Sequence, residues 1–170
     1  MRIAIYAGTF DPVTFGHLSV IKRAAGLFDA VVVLVAVNPC KQPMFDVHDR
    51  LLMIRESVSA WTNVGCASTE GLVVDFARAH HARFLVRGVR TCTDAEAEIA
   101  LAHANHELAP EIETVFVPAE PGLSEASSSR LKELASQGAD LTPWCPPQVA
   151  KRLQQRFGRA AFEEAAHAPL

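Results

Sequence analysis

Eight consecutive apolar residues, Ala30 to Val37, leave few architectures open to this chain. The run is continuous and largely β-branched, so it has no polar face to turn toward water. A strand covered on both faces has this character, as strands do inside a parallel sheet. The run is far too short to cross a bilayer as a helix, and Asn38-Pro39 ends it. Parallel strands need crossover connections, and the rest of the chain supplies them. Arg2–Tyr6 reads as a strand. His17–Phe28 reads as a helix, with Leu18, Ile21, Ala24, Ala25 and Phe28 at helical spacing. Asp49–Ala60, Leu72–His80, Asp94–Leu108, Ser127–Ser136 and Pro147–Phe157 read as further helices, and Val64–Ala67, Phe84–Val86 and Ile112–Val117 as further strands. This alternation predicts an α/β fold, a doubly wound parallel sheet built from right-handed crossovers. Residues 1–158 read as one domain without repeats or linkers. The Ala-rich segment 159–170 has no clear apolar face and is expected to be a frayed tail.

Composition narrows the partners. The chain has 170 residues, 49% of them hydrophobic, and a net charge of -3. That charge gives no electrostatic case for nucleic acid or an anionic membrane. A small anionic ligand stays open, because a few local cations suffice for a phosphate. Met1-Arg2 leads straight into a strand and a glycine turn, unlike a signal peptide, so a cytoplasmic location is expected. Cys40, Cys66, Cys92 and Cys145 form no C-x-x-C pair and no zinc spacing, and read as reduced thiols. His80-His81 and the His103/His106 pair lack a carboxylate or thiol companion and read as surface residues rather than metal ligands.

Ligands of doubly wound sheets sit beyond the carboxyl ends of the strands. That rule selects the loops Ala7–Gly16, Asn38–Asp46, Gly88–Thr93 and Pro118–Ala126. The first reads G-T-F-D-P-V-T-F-G-H from Gly8 to His17. It is neither a P-loop nor a G-x-G-x-x-G fingerprint. It does offer two threonine hydroxyls and a Gly-His pair opening a helix, where free N–H groups favour phosphate. Gly16 would let that phosphate approach the backbone, and His17 would project from the first turn toward it.

The other loops admit two readings each. Lys41, after the second strand, is a phosphate-holding point charge or a solvated lysine. Arg87 and Arg90 flank Gly88 and suit bidentate phosphate binding, or an ion-pair network on the surface. Glu98, Leu101, Ala102 and Asn105 share one helical face, which lines a groove or is simply amphipathic. Ser127-Ser128-Ser129 open a helix, as a polyphosphate cradle or as one N-cap with two exposed neighbours.

Taken in order, G-T-F-D-P-V-T-F-G-H, N-P-C-K-Q-P-M-F, R-G-V-R with D-A-E-A-E-I-A-L-A-H-A-N, and S-S-S-R-L-K-E-L-A resemble bacterial phosphopantetheine adenylyltransferase from about Ile3 to Phe157. The T-x-G-H string at Thr14, Gly16 and His17 resembles the signature of the nucleotidyltransferase superfamily, and with the last string points no further than that superfamily; the middle strings carry the specific match. The resemblance implies a Rossmann-like nucleotidyltransferase fold and transfer of AMP from ATP to 4′-phosphopantetheine, giving dephospho-coenzyme A and pyrophosphate. It implies Mg²⁺ carried mainly on the ATP phosphates, no metal ligand from the protein's side chains, no covalent intermediate, a homohexamer, and coenzyme A as an inhibitor. His17, Lys41 and Thr9 are the implied catalytic group. Thr9, Phe10, His17, Gly88, Val89, Arg90, Glu98, Leu123, Ser124, Ser127, Ser128 and Ser129 are implied at ATP. Thr9, Lys41, Val73, Arg87, Leu101 and Asn105 are implied at phosphopantetheine. A related adenylyltransferase acting on nicotinamide mononucleotide, and a non-catalytic nucleotide-binding relative, are the competing readings. The chain departs from the family's habit at Phe15, usually Asn; at Ala95 and Ala97, often aromatic; at Leu123, often Trp or Tyr; and at Val73, often Met or Leu.

Overall fold

The computed structural model describes residues 1–40 and 42–166, with backbone alone over 159–166. Five strands form one parallel sheet: β1 (Ile3–Gly8), β2 (Ala30–Ala36), β3 (Val64–Thr69), β4 (Phe84–Val89) and β5 (Glu113–Pro118), in the order β3-β2-β1-β4-β5. The helices are α1 (Phe15–Leu27), α2 (Val47–Val58), α3 (Val73–Ala79), α4 (Cys92–Leu108), α5 (Ser128–Ser136) and α6 (Pro147–Ala166). The expected doubly wound α/β sheet is the observed one. Among the described residues no helix is long and apolar enough to cross a membrane.

Strand β2 shows why the apolar run is continuous. Val31, Val33, Leu34 and Val35 are all buried, on both faces of the sheet. The alternation of β1 sorts its side chains in the same way. Ala4 and Tyr6 join the core on one face, with Val20, Ile21, Val86, Leu131 and Leu153. Ile5 and Ala7 join the other, with Val74, Ala77, Leu85 and Ile112.

Element ends differ from the sequence reading where pairing or capping extends them. β4 continues past Val86 because Arg87, Gly88 and Val89 pair with Phe116, Val117 and Pro118. α4 starts two residues early because the Thr91 side chain accepts from the Asp94 N–H. α6 runs on to Ala166, into the segment expected as a tail; residues 167–170 lie outside the described residues.

The strand order fixes where a ligand can sit. From β1 the chain winds outward through β2 and β3, then crosses back to β4 on the opposite side of β1. The direction of winding reverses between β1 and β4, and the crevice beyond their carboxyl ends is the expected binding place.

Candidate active site

A cavity of about 560 Å³ occupies that crevice. Its wall is built from the end of β1, the start of α1, the end of β4, α4 and the start of α5. Thr9, Phe10 and His17 line it from the first loop, Arg87, Gly88, Arg90 and Glu98 from β4 and α4, and Ser127, Ser128 and Ser129 from α5. Residues far apart in sequence thus converge as expected. Val89, Leu123 and Ser124 do not reach this wall. Strand alternation turns Val89 away from the face that Gly88 presents, and Leu123 and Ser124 sit in the turn before α5, where the Leu123 N–H donates to the Glu120 carbonyl.

His17 is held in one tautomer. The Thr14 N–H donates to His17 Nδ1 at 3.1 Å. The Thr14 hydroxyl donates to the Ala126 carbonyl at 2.7 Å, so it does not supply Nδ1 with a proton. Nδ1 is therefore the acceptor and Nε2 carries the hydrogen, available as a donor to the cavity. Burial, and after it the charge of Arg90, lowers the His17 pKa to about 4, so the ring is neutral. The Phe10 ring meets the imidazole edge-on at 5.1 Å. Phe10 itself has a φ of 47°, a left-handed backbone rare for a bulky residue. Its ring fills the space that a side chain on Gly8 would take, 3.0 Å from the ideal Cβ position.

These contacts show what T-x-G-H does within the chain. Thr14 is fully buried and positions His17 without lining the cavity. Gly16 lines the cavity and is also required by the chain itself: an ideal Cβ there would lie 2.7 Å from the Ala126 carbonyl oxygen. Phe15, the departure inside the motif, packs against the core, and its N–H donates to the Trp144 carbonyl. It leaves the cavity untouched, which explains why the substitution is compatible with the site.

The serines divide their labour. Ser127 caps α5, accepting from the Arg130 N–H, and the Ser128 hydroxyl donates to the Pro12 carbonyl. Ser129 is exposed to the cavity. Only one of the three hydroxyls is thus free of other work among the described residues. The first turn of α5 still offers backbone N–H groups to an anion.

The arginines take the ion-pair reading in this structure. Arg87 forms a two-pronged pair with Glu98 through Nε–Oε2 and Nη2–Oε1, and donates to the Ala7 carbonyl. Arg90 pairs with Asp94 one helical turn away. A phosphate reaching either guanidinium competes with a carboxylate. Arg87 also borders a second pocket of about 200 Å³, lined by Val73, Leu101 and Asn105. The polar-edged face of α4 is therefore a groove wall. Arg87 and Ala7 are common to both cavities.

Three further residues build the site. Asp11 is 4% exposed; its carboxylate accepts from the N–H groups of Met44 and Phe45 and pairs with Lys132 Nζ at 3.1 Å. It ties the first loop, the second loop and α5 together. Arg50 is 2% exposed and donates to the carbonyls of Thr9 and Asp46, with no carboxylate partner among the described residues. The D-P after Gly-Thr-Phe hinted at Asp11, but nothing local marks Arg50 or Lys132. Lys41 lies outside the described residues.

The depressed His17 pKa has a measurable consequence. Between about pH 6.5 and 4 the unfolded chain binds a proton at this imidazole that the folded chain refuses. Stability should fall as the pH drops through that window and be insensitive to His17 above it. Urea midpoints measured down the pH scale check this. A His17→Asn variant should lose part of the acid dependence, and identical acid slopes in the two proteins would contradict it.

A neutral imidazole donor, a helix N-terminus and flanking arginines, set at the switch point of a Rossmann-like sheet, define a nucleotidyltransferase. The cytidylyltransferase-like family matches residues 5–134. Relatives described as phosphopantetheine adenylyltransferase cover most of the chain. The Heliobacterium modesticaldum protein is 44% identical over 93% of this chain and 94% of its own. The Brucella anthropi protein is 43% identical over 92% and 99%, and the Coxiella burnetii protein 42% over 91% and 96%. The chain belongs to the phosphopantetheine adenylyltransferase family. A solved Vibrio parahaemolyticus structure, provisionally described as a nicotinate-nucleotide adenylyltransferase, superposes with a TM-score of 0.68 at 20% identity, covering 90% of this chain and 91% of that one. At that identity the likeness speaks to the fold alone.

Proposed function

We propose that this chain transfers AMP from ATP to 4′-phosphopantetheine, releasing pyrophosphate and forming dephospho-coenzyme A. The observation that carries the reading is the neutral His17, held with its Nε2–H as donor, in a cavity between the α5 N-terminus and the Arg87-walled pocket. A phosphate oxygen of phosphopantetheine attacks the α-phosphorus in line. The bond from that phosphorus to the bridging oxygen of the leaving pyrophosphate breaks as the new P–O bond forms. No nucleophile on the protein is needed. His17 donates to the α-phosphate oxygens as negative charge gathers there.

The remaining residues position the reactants. Thr9 and Lys41 hold the acceptor phosphate, and Arg87 leaves Glu98 to join them. Val73, Leu101 and Asn105 lie along the pantetheine arm. Arg90, Ser129 and the first N–H groups of α5 hold the β- and γ-phosphates. Phe10, Gly88 and Glu98 border the nucleotide. Among the described residues no three His, Cys, Asp or Glu groups come together as a metal site, and the Asp11 carboxylate is already taken by two N–H groups and Lys132. In this reading magnesium would arrive on the triphosphate and would neutralise charge there.

Assembly as a homohexamer is part of the same proposal. α4 has no buried residue, and it exposes Ile99, Leu101 and Leu108; Phe116 on the edge strand β5 is exposed as well. These faces suit burial against copies of the chain. Coenzyme A shares the product's scaffold and would compete for the site. All four cysteines are free thiols, which supports a reducing compartment, the cytoplasm.

An acceptor panel tests the assignment. Pyrophosphate release from ATP and Mg²⁺ should require 4′-phosphopantetheine and should not proceed with nicotinamide mononucleotide. Efficient turnover of the mononucleotide would overturn it.

A further inference from the structure

Tyr6 has no part in the mechanism above, yet it lines the main cavity. The residue is 7% exposed. Its hydroxyl has no hydrogen-bond partner among the described residues, and it is not sealed off from the cavity as the Ser19 hydroxyl is from solvent. The hydroxyl faces the cavity, where water satisfies it until a group that enters takes that water's place. Burial also pushes the Tyr6 pKa up, against the influence of Arg87 and Arg90, so the hydroxyl keeps its proton and can donate.

Strand alternation decides which substrate it meets. Tyr6 and Val86 face the α1 side of the sheet, while Ile5, Ala7 and Leu85 face the other. The pocket lined by Val73, Leu101 and Asn105 is built on Ile5, Ala7 and Leu85. Tyr6 does not line that pocket, which meets the main cavity at Ala7 and Arg87. On its own face, the Tyr6 hydroxyl lies 3.4 Å from the position a Cβ on Gly88 would take. Val20 Cγ2 lies nearer still, 3.0 Å from that position, so the bare Gly88 backbone packs against Val20 and Tyr6, and all three line the cavity. The Phe10 ring packs edge-on against both Tyr6 and His17, with centroid distances of 5.3 and 5.1 Å, so the three rings share one wall of the cavity.

Resting on the proposed reaction, we infer that Tyr6 is a nucleoside-binding residue: its hydroxyl donates a hydrogen bond to the adenosine part of ATP across the floor formed by Gly88. It acts in nucleotide binding and not in the transfer step.

Tyr6 is the chain's single tyrosine, so enzyme made with 3-fluorotyrosine carries one fluorine signal. ATP with Mg²⁺, and adenosine alone, should shift that resonance, whereas tripolyphosphate alone and 4′-phosphopantetheine alone should not. Tyr6→Phe keeps the ring and the fold; it should raise KM for ATP about three- to tenfold, the worth of one neutral hydrogen bond. Its kcat and its KM for phosphopantetheine should stay within about twofold of wild type on the same scale. A resonance unmoved by saturating ATP, a shift caused by tripolyphosphate or phosphopantetheine alone, or an unchanged KM for ATP would each overturn the inference. An ATP-driven shift in a chain that releases no pyrophosphate with phosphopantetheine would contradict the reaction and leave the nucleoside contact standing.

Discussion

Replacing His17 by alanine should lower kcat by on the order of a hundredfold or more while leaving ATP affinity nearly unchanged. The reasoning starts from the hydrogen bonds. The Thr14 N–H occupies Nδ1, so the ring offers its donor through Nε2 alone. Its neutral state, with a pKa lowered to about 4, makes it a hydrogen-bond donor and not a standing charge. Such a donor gains most when negative charge accumulates on the transferring phosphoryl group, and little in the ground state. The loss should therefore appear in kcat rather than in KM for ATP. Neutrality adds a second expectation. No ionisation of the free enzyme between about pH 5 and 8 should belong to His17, because its pKa lies below that window. Steady-state kinetics with equilibrium ATP binding checks both. A variant with near-normal kcat would remove His17 from the mechanism.

Gly16→Ala should be the most damaging single-methyl change near the site. The new Cβ would lie 2.7 Å from the Ala126 oxygen and 3.4 Å from both the Ala126 Cβ and the Leu123 oxygen. The first neighbour is backbone and cannot rotate aside. It also accepts the Thr14 hydroxyl at 2.7 Å, so moving it disturbs the residue that orients His17. Overpacking of this kind costs about 1–3 kcal/mol, and for a chain of this size each kcal/mol lowers Tm by about 2–4 °C. Relief of the clash displaces Ala126 and the Ser127 cap that follows it. Turnover should fall on the order of ten- to a hundredfold, because small misplacements of positioning groups have large kinetic effects. Calorimetry and kinetics on the one variant measure both. Unchanged Tm and kcat would mean that the contact at Ala126 is not the reason for the glycine.

Features written in local pattern were legible in the sequence. The unbroken Ala30–Val37 run announced a strand with two covered faces, and the helical spacing of Leu18, Ile21 and Ala24 announced α1. The four selected loops do surround one cavity. What failed to show were pairings between distant segments. Arg87 and Glu98 were read as separate binding residues, yet they pair with each other across the turn between β4 and α4. Asp11, Arg50 and Lys132 gain their roles from partners tens of residues away. The second demand on Gly16, the Ala126 carbonyl that passes over it, is hidden for the same reason, since no sequence pattern reveals that approach. The serine triplet was half legible: the helix start was plain, but which hydroxyl caps, which stitches the loops and which stays free depends on where Pro12 lies.

The central claim is the reaction itself, and one product analysis tests it most directly. Purified protein is mixed with ATP, Mg²⁺ and 4′-phosphopantetheine, and the products are resolved by mass spectrometry with pyrophosphate counted in parallel. Dephospho-coenzyme A and pyrophosphate should appear in equal amounts, with neither formed when phosphopantetheine is withheld. Formation of ADP in place of pyrophosphate, or consumption of ATP without dephospho-coenzyme A, would contradict the account.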